Sequence, residues 1–196
     1  MLDHFDLLAP FYDLVMRYSN AGTMASRAAL PIDGYLLDAG GGTGRVAEPL
    51  RGLAGHIVVA DLSMGMLREA GAKGLQAACA PTERLPFPDA AFDRVIMVDA
   101  LHHVCDQGGT ARELWRVLRP DGRIVIVEPD IRRFVVKIIA FFEKLALMRS
   151  HFLSAAQILN LFSAFGASAE VGEDRFSVWI ILDKITPSLR PTPPRN

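Results

Sequence analysis

A glycine-rich turn directly after a short apolar strand limits most strongly what this chain can fold into. Residues 35–37 are typical of a buried parallel strand, and the chain then runs through Asp38 into three closely spaced glycines, Gly40, Gly42 and Gly44. Glycine allows a tight turn and a close approach of the backbone to a ligand. We expect a helix over residues 44–53, whose first N–H groups would face an anionic group. This pattern predicts a nucleotide-binding loop.

The spacing of the glycines distinguishes between classes of nucleotide. A dinucleotide site needs G-x-G-x-x-G, but Arg45 stands where the third glycine would be, which argues against an NAD-dependent dehydrogenase. A phosphate-binding loop needs Gly-Lys-Ser/Thr, and the turn has no lysine. Asp38 would also repel a phosphate. S-adenosylmethionine, which carries an ammonium group and a small carboxylate, suits the turn better.

A second acidic residue follows the next predicted strand. Residues 56–60 are a short β-branched run that ends at Asp61, 21 residues after Gly40. An acidic residue about 20 residues after such a turn binds ribose hydroxyls. Taken alone, Asp61 could instead cap the following helix, a role that Ser63 could share. Together with the glycine turn, the ribose interpretation is favoured.

Composition and charge indicate one small domain. The chain has 196 residues, enough to bury a substantial core, and its net charge of −1 gives no electrostatic support for a nucleic-acid partner. Cys79 and Cys105 have no disulfide spacing, and the acidic N-terminus is unlike a signal peptide. We therefore expect a cytoplasmic protein.

Predicted strands alternate with predicted helices, which indicates an α/β fold with a Rossmann-like, doubly wound seven-stranded sheet, mostly parallel with an antiparallel edge hairpin. Pro120–Gly122 predicts a turn before the fifth strand, and Asp174–Arg175 a hairpin loop after the sixth. We place strands near residues 35–38, 56–60, 75–79, 92–98, 123–128, 168–174 and 176–184. We place helices near residues 4–18, 20–29, 44–53, 64–71, 108–118, 131–149 and 154–164.

Several segments resemble the motifs of class I S-adenosylmethionine-dependent methyltransferases, closest to the ubiquinone/menaquinone biosynthesis C-methyltransferase-like (methyltransferase type 11) group. They are FDLLAPFYD, LLDAGGGTG, VVADLSMGML, ERLPFPDAAFDRVIMVDALHHV, ELWRVLRPDGRIVIVEP and LSAAQILNLFSAFGASAEV. The resemblance covers about residues 4–184 and implies the strand order 3-2-1-4-5-7-6, with S-adenosyl-L-methionine as cofactor. We therefore expect a methyltransferase domain over residues 1–185, with N-terminal helices in 1–30 and a disordered tail over 186–196.

The resemblance also assigns roles to individual residues. Asp38 would hold the methionine ammonium and Asp61 the ribose hydroxyls, while Leu62 and Met64 would pack on the adenine. Tyr12 could cover the sulfonium with its ring, or it could only pin the N-terminal helix to the domain. Ligands of such sheets bind beyond the carboxyl ends of the strands, so the glycines, Asp38 and Asp61 should share one pocket with Val98 to His103 and Glu128.

One position departs from the pattern of the group. Pro81 and Thr82 stand where its members commonly have Asp-Ala before Glu-x-Leu-Pro-Phe. Proline offers neither a carboxylate nor an N–H group. Adenine would therefore have to be recognised by Thr82 or by Glu83.

Asp99 and His103 are the candidate bases, should the acceptor need to lose a proton. If a helix begins near Asp99, their spacing places both side chains on one face. Alternatively, Asp99 caps that helix and the histidines are half-buried surface residues. His102, Cys105 and Asp106 lie nearby, but the sequence has no second spaced pair of zinc ligands, so no metal site is expected.

The predicted helix over 131–149 has a broad apolar stripe, yet it is too short and too charged to span a bilayer. It lies where related methyltransferases insert a substrate lid, so residues 131–153 could cover a lipophilic acceptor such as a prenylated quinone. A core helix or a homodimer contact is the alternative, and peripheral membrane contact is conceivable.

The sequence therefore predicts an S-adenosylmethionine-dependent methyltransferase that acts on a small, hydrophobic acceptor at carbon or oxygen. The alternative is a non-catalytic methyltransferase-like protein that binds the cofactor or a partner.

Overall fold

The computed structural model describes residue 9, residues 12–13, residues 18–132 and residues 150–185. Ala9, Tyr12 and Asp13 are helical, as the prediction of a helix over 4–18 requires. Ile131 and Arg132 lie in a turn. The rest of the helix predicted over 131–149, most of the predicted insertion over 131–153, and the predicted tail over 186–196 lie outside the described residues.

Seven strands form one sheet in the order β3-β2-β1-β4-β5-β7-β6. β1 is paired in parallel with β2 on one side and β4 on the other, whereas β7 runs antiparallel to both β5 and β6. The predicted Rossmann-like sheet with an antiparallel edge hairpin is thereby confirmed. The strands are β1 (Ile32–Ala39), β2 (Ala54–Asp61), β3 (Gln76–Cys79), β4 (Phe92–Val98), β5 (Leu118–Pro129), β6 (Ser168–Glu173) and β7 (Ser177–Asp183).

Local capping explains where the helices begin. The Ser63 hydroxyl accepts the Met66 N–H at 3.1 Å, so Ser63 rather than Asp61 caps the helix after β2. Ser154 and Gln157 form a reciprocal capping box before the last helix. Within the described residues the α-helices are α1 (Ala21–Arg27), α2 (Met64–Ala72), α3 (Gln107–Val117) and α4 (Ala155–Phe162).

The helix predicted over residues 44–53 is wrong. After the glycine turn the chain continues in turns as far as Ala47 and then forms only a short 3₁₀-helix, Glu48–Leu50. Pro49 has no N–H group and cannot bond to a carbonyl of the preceding turn. Gly52 then adopts a φ of +83°, which ends any helical continuation.

The turn predicted at Pro120–Gly122 lies inside β5 as a bulge. Phe92 pairs with Leu118 and Arg94 with Arg123, so the intervening residues of β5 have no counterparts on β4. Asp121 adopts a φ of +60°. The Asp121 N–H donates to the Lys184 carbonyl, and the Lys184 N–H donates to the Gly122 carbonyl. The end of β7 therefore holds the bulge in place, and β5 begins earlier than predicted.

Apolar clusters cover both faces of the sheet. On one face, α3 and α4 bury Leu114, Ile158 and Phe162 against the strands. On the other face, Met24 of α1 and Leu67 of α2 pack against alternate residues of the same strands. The helices thus cover both faces of the sheet. A site can therefore form at the loops that follow the carboxyl ends of the parallel strands. In the ranges described, no helix is long and apolar enough to cross a membrane.

Gly40→Ala should destabilise the protein more than Gly52→Ala. Both glycines have positive φ, +68° and +83°, so each substitution costs about 1–2 kcal/mol of backbone strain. At Gly40 a Cβ would also lie 2.7 Å from the Cβ of Ala100, whereas at Gly52 no described atom lies within 4 Å. The clash should add about 1–3 kcal/mol. Denaturant unfolding of both variants measures the difference, and equal losses would contradict the packing at Gly40.

Candidate active site

A cavity opens where β1, β2 and β4 end, in the position where an open parallel sheet binds its ligand. It brings together the predicted cofactor-binding and catalytic residues except Gly44 and Met64. Its walls consist of Tyr12, Asp38, Gly40, Gly41, Gly42, Arg45, Val46, Asp61, Leu62, Met66, Pro81, Thr82, Glu83, Val98, Asp99, Ala100, His103, Val104 and Cys105.

Asp38 lies at the end of β1 with only 1% of its surface exposed. Its carboxylate accepts the N–H of Ala47. Among the described residues, no donor lies within hydrogen-bonding distance of its Oδ2 atom. Burial raises the pKa of Asp38 to about 7, although the charge of Arg45 acts in the opposite direction. The cavity therefore contains a buried carboxylate oxygen that suits a cationic donor.

Asp61 connects the glycine turn to the end of β2. Its Oδ2 accepts the Gly42 N–H at 2.9 Å, and its Oδ1 accepts the Ser63 N–H at 2.8 Å. Each carboxylate oxygen can accept more than one hydrogen bond. Asp61 can therefore hold the turn and also bind ligand hydroxyls at the cavity wall.

Gly44 does not line the cavity, contrary to the prediction. A Cβ at this position would lie 2.3 Å from Cδ1 of Leu75. Gly44 therefore allows the turn to pack closely on the apolar residues beneath it. Gly42, with a φ of +55°, is the residue of the turn whose N–H reaches Asp61.

The apolar end of the cavity also differs from the prediction at one residue. Met64 is 50% exposed and lies outside the cavity wall, whereas Met66 is buried and lines it. Side chains two positions apart in a helix point about 200° apart. Met64 therefore faces outward, and Met66 faces the cavity. Leu62 lies in the wall but is largely exposed. The Thr82 hydroxyl is paired with that of Thr110 at 2.9 Å.

The N-terminal segment is anchored to the glycine turn beside Tyr12. The Thr43 hydroxyl donates to Asp13 at 2.5 Å, and Lys73 binds both the Asp13 carboxylate and the Thr43 carbonyl. Sequence reasoning missed this anchor, because nothing local connects residues 60 positions apart. Tyr12 thereby becomes part of the cavity wall, and burial raises the pKa of its hydroxyl. Whether its ring covers a sulfonium stays a prediction.

Asp99 does not cap a helix, so that alternative is wrong. It adopts a φ of +52°, and its carboxylate accepts Nη2 of Arg45 at 2.7 Å. A 3₁₀-helix, Leu101–His103, follows it, with Ala100 at the N-cap and no side-chain cap. The expected α-helical face that would unite Asp99 and His103 is therefore absent from this described loop, although both residues reach the cavity.

His103 is a neutral group of the cavity wall. Burial and the neighbouring charge of His102 lower its pKa to about 3. Its Nδ1 lies 3.3 Å from the Ser150 hydroxyl. A histidine with so low a pKa can form hydrogen bonds near pH 7, but it accepts a proton poorly.

Glu128 lies beneath the cavity rather than in its wall, contrary to the prediction. Its carboxylate accepts the N–H groups of Ala100 at 3.0 Å and Leu101 at 2.8 Å, and it lies 2.6 Å from His102 Nδ1. His102 in turn stacks on Phe152 with ring centroids 4.5 Å apart. This buried cluster fixes the loop after β4. Across the described ranges, no group of three or more His, Cys, Asp or Glu side chains could hold a metal ion.

Residues 37–126 match a family model described as a methyltransferase domain. This match covers slightly less than half of the 196-residue chain. The matched region runs from the middle of β1 into β5 and therefore contains the glycine turn, Asp61 and the loop after β4.

Relatives with named activities match part of the chain. A demethylmenaquinone methyltransferase of Mycolicibacterium vanbaalenii is 35% identical in an alignment 131 residues long that covers 63% of this chain and 58% of the relative. A ubiquinone/menaquinone biosynthesis C-methyltransferase of Hahella chejuensis is 32% identical in an alignment 142 residues long that covers 63% of this chain and 57% of the relative. The match thus spans less than two thirds of the length of either relative.

Solved structures share the fold at low identity. An S-adenosylmethionine-dependent methyltransferase from Thermotoga maritima aligns with a TM-score of 0.76 and 22% identity, covering 92% of this chain and 98% of that one. The [4+2]-cyclase SpnF aligns with a TM-score of 0.75 and 19% identity, covering 93% and 94%. These similarities show a common architecture.

S-adenosylmethionine, the cofactor that the resemblance to methyltransferases implies, fits the polar groups of the cavity. The buried Oδ2 of Asp38 suits its ammonium group, and Asp61 suits its ribose diol. Met66, Leu62 and Pro81 offer apolar surface for the adenine. The described wall residues thus offer a matching group for the ammonium, the ribose and the adenine of this cofactor.

The affinity for S-adenosylhomocysteine should increase as the pH rises through 7. The pKa of Asp38 in the free protein is about 7, and an ammonium group binds its ionised form, so binding below that pH requires the release of a proton. Between about pH 6 and pH 8, Kd should fall about tenfold. Asp38→Asn should bind weakly with little pH dependence. Calorimetric titration measures both proteins, and a constant wild-type Kd would contradict the role of Asp38.

Proposed function

We propose that this chain transfers the methyl group of S-adenosylmethionine to a small, hydrophobic acceptor at carbon or oxygen. The observation that carries this proposal is the buried Oδ2 of Asp38, to which no described residue donates a hydrogen bond, in a cavity whose wall also contains Arg45, Asp99 and His103. Asp38 suits the cofactor, and the other three residues offer polar groups to a second molecule.

The cofactor would be held mainly by two carboxylates. Asp38 would accept the ammonium and Asp61 the ribose hydroxyls, while Gly40 and Gly42 let the backbone approach closely. The Asp61 carboxylate is already fixed by two backbone N–H groups, so little reorganisation is needed when a ligand binds. Thr82 or Glu83, both in the wall, would contact the adenine edge.

Methyl transfer asks the protein mainly to align two molecules. The bound cofactor supplies an electron-poor methyl group whose sulfur leaves as a neutral thioether. The cavity walls hold the acceptor in line with that methyl group and exclude water, and such positioning can lower the barrier by about 7–11 kcal/mol. His103 can orient an acceptor by hydrogen bonding, but its pKa of about 3 makes it a weak base near neutral pH.

The end of β4 and the loop after it contribute apolar surface to the cavity. Val98, Ala100 and Val104 supply hydrocarbon to a wall that also contains Arg45 and His103. The two relatives named above act, by their names, in menaquinone or ubiquinone biosynthesis. An aromatic, quinone-like acceptor fits both the apolar wall and these relatives.

A non-catalytic or differently catalytic role is the second candidate. The same fold is found in a protein named as a [4+2]-cyclase, so the architecture alone does not determine the reaction. A chain of this second kind would bind the cofactor without transferring its methyl group.

Methyl transfer from labelled S-adenosylmethionine to a panel of quinols and phenols tests the proposal. We expect a labelled product with at least one aromatic acceptor and none with the acceptor omitted. His103→Gln should lower kcat by about tenfold or less, because it removes a hydrogen bond rather than a base, which would cost roughly 10²–10⁴-fold. Its affinity for S-adenosylhomocysteine should be unchanged. Tight cofactor binding with no product across the panel would favour the non-catalytic alternative.

A further inference from the structure

Arg45 lies in the wall of the cavity with its charge largely shielded from bulk water. Its side chain is 10% exposed and forms part of the cavity wall. Nη2 donates to Asp99 at 2.7 Å, the guanidinium is hydrogen-bonded to the Tyr12 hydroxyl, and it lies 5.8 Å from the centre of the Tyr18 ring. These three contacts therefore fix the position of the guanidinium.

The contacts with Asp99 and Tyr12 leave N–H donors of the Arg45 guanidinium available to a further hydrogen-bond acceptor. Arginine has five N–H donors in a rigid fork. Among the described residues, its hydrogen-bond partners are Asp99 and Tyr12. A group inside the cavity can therefore accept from the same fork without displacing either partner.

The charges around the cavity favour an anion at this point. The described acidic residues of the wall are Asp38, Asp61, Glu83 and Asp99, and Arg45 is the one permanent cation among the described wall residues. Asp61 is fixed to the glycine turn, and Asp38 suits the ammonium group of the cofactor. An anionic acceptor beside Arg45 would be attracted by the guanidinium and also by the positive charge of the cofactor in the same cavity.

We propose that Arg45 binds the ionised oxygen of the methyl acceptor, so that the acceptor is an oxygen acid such as a phenol or an enol. This inference rests on the proposed function, because it assigns the second molecule of that reaction. Arg45 makes direct contact with the acceptor in this assignment. Asp99 is a positioning residue that holds the guanidinium against the wall.

The proton of the acceptor passes to water or hydroxide rather than to a side chain. The acceptor O–H bond breaks, and its electron pair stays on oxygen, where Arg45 stabilises it. A bond then forms from that oxygen, or from a ring carbon that shares its charge, to the methyl carbon, while the carbon–sulfur bond breaks and its electrons remain on sulfur. After attack through carbon, the ring C–H proton also leaves to solvent. Neutral His103 hydrogen-bonds without taking up either proton.

The backbone conformation of Asp99 supports a functional role for the Arg45–Asp99 pair. A non-glycine residue with a φ of +52° is strained, and such strain collects at functional sites. The conformation directs its carboxylate to Arg45 instead of to the start of the following 3₁₀-helix. Asparagine tolerates positive φ well, so Asp99→Asn removes the charge with little change of backbone.

The test uses 4-nitrophenol as a probe with the full chain saturated by S-adenosylhomocysteine. Absorbance titration gives the pKa of the bound phenol and the affinity of each form. In the wild type, the phenolate should bind at least about tenfold more tightly than the phenol, which lowers the pKa of the bound probe by about one unit. Arg45→Gln should remove this preference. Asp99→Asn should increase it, because Arg45 loses its counter-charge.

Two controls separate charge recognition from loss of structure. Arg68, an exposed arginine of α2, provides the matched variant Arg68→Gln, which should behave as the wild type. 4-Nitroanisole cannot ionise, so its affinity should be equal in the wild type and Arg45→Gln. Damage to the fold would shift Arg45→Gln and Asp99→Asn in the same direction, whereas the proposal requires opposite directions.

Three results would overturn the inference. The first is that 4-nitrophenol does not bind the wild type. The second is that the wild type and Arg45→Gln prefer the phenolate equally. The third is that Arg45→Gln loses tenfold in affinity for S-adenosylhomocysteine but retains the phenolate preference. The third result would assign Arg45 to the cofactor carboxylate. The probe needs no turnover, so a preserved phenolate preference without methyl transfer to any acceptor would count against the proposed function alone.

Discussion

The carboxylate of Asp38 lies at the end of β1, and the glycine turn is folded directly around it. A Cβ at Gly41 would lie 2.5 Å from the Asp38 Cγ, so only glycine lets the turn pass this closely. The Ala47 N–H then donates to the carboxylate. A buried polar atom left without a partner costs about 1–3 kcal/mol. A cationic group that binds at Oδ2 would remove this cost in folding free energy. The shape of the turn is thereby connected to ligand binding.

The other walls of the cavity are also held by carboxylates of neighbouring elements. Asp61 at the end of β2 binds the Gly42 N–H, Glu128 of β5 binds the Ala100 and Leu101 N–H groups, and Asp13 binds Thr43. Each carboxylate accepts backbone or side-chain donors from a segment that is otherwise irregular. The loops therefore reach the cavity in fixed positions, and a site of this kind needs little rearrangement to orient two molecules.

The sequence predicted those parts of the fold that depend on local pattern. The apolar runs of β1, β2, β4, β5 and β7 and the cap Ser63 are visible in the residues themselves. The order of the strands came from the family resemblance, and the sheet confirms it. Pro49 is a local sign that a regular helix could not follow the glycine turn, and the helix predicted over 44–53 did not take it into account.

The parts that the sequence did not reveal depend on tertiary contacts. Asp99 looked like a helix cap because its partner Arg45 is 54 positions away. The pairing of His102 with Glu128 requires β4 and β5 to be neighbours, and the choice between Met64 and Met66 depends on the orientation of α2. Side chains that meet only across adjacent strands leave no periodic trace along one chain.

Binding of the cofactor depends most on Asp38, and a crystal structure with S-adenosylhomocysteine tests this role most directly. We expect the amino nitrogen of the ligand within about 3.2 Å of Asp38 Oδ2, the distance limit of an N–H to oxygen hydrogen bond. We also expect the ribose hydroxyls on Asp61. A ligand bound elsewhere, or bound in this cavity with its amino group away from Asp38, would contradict this role.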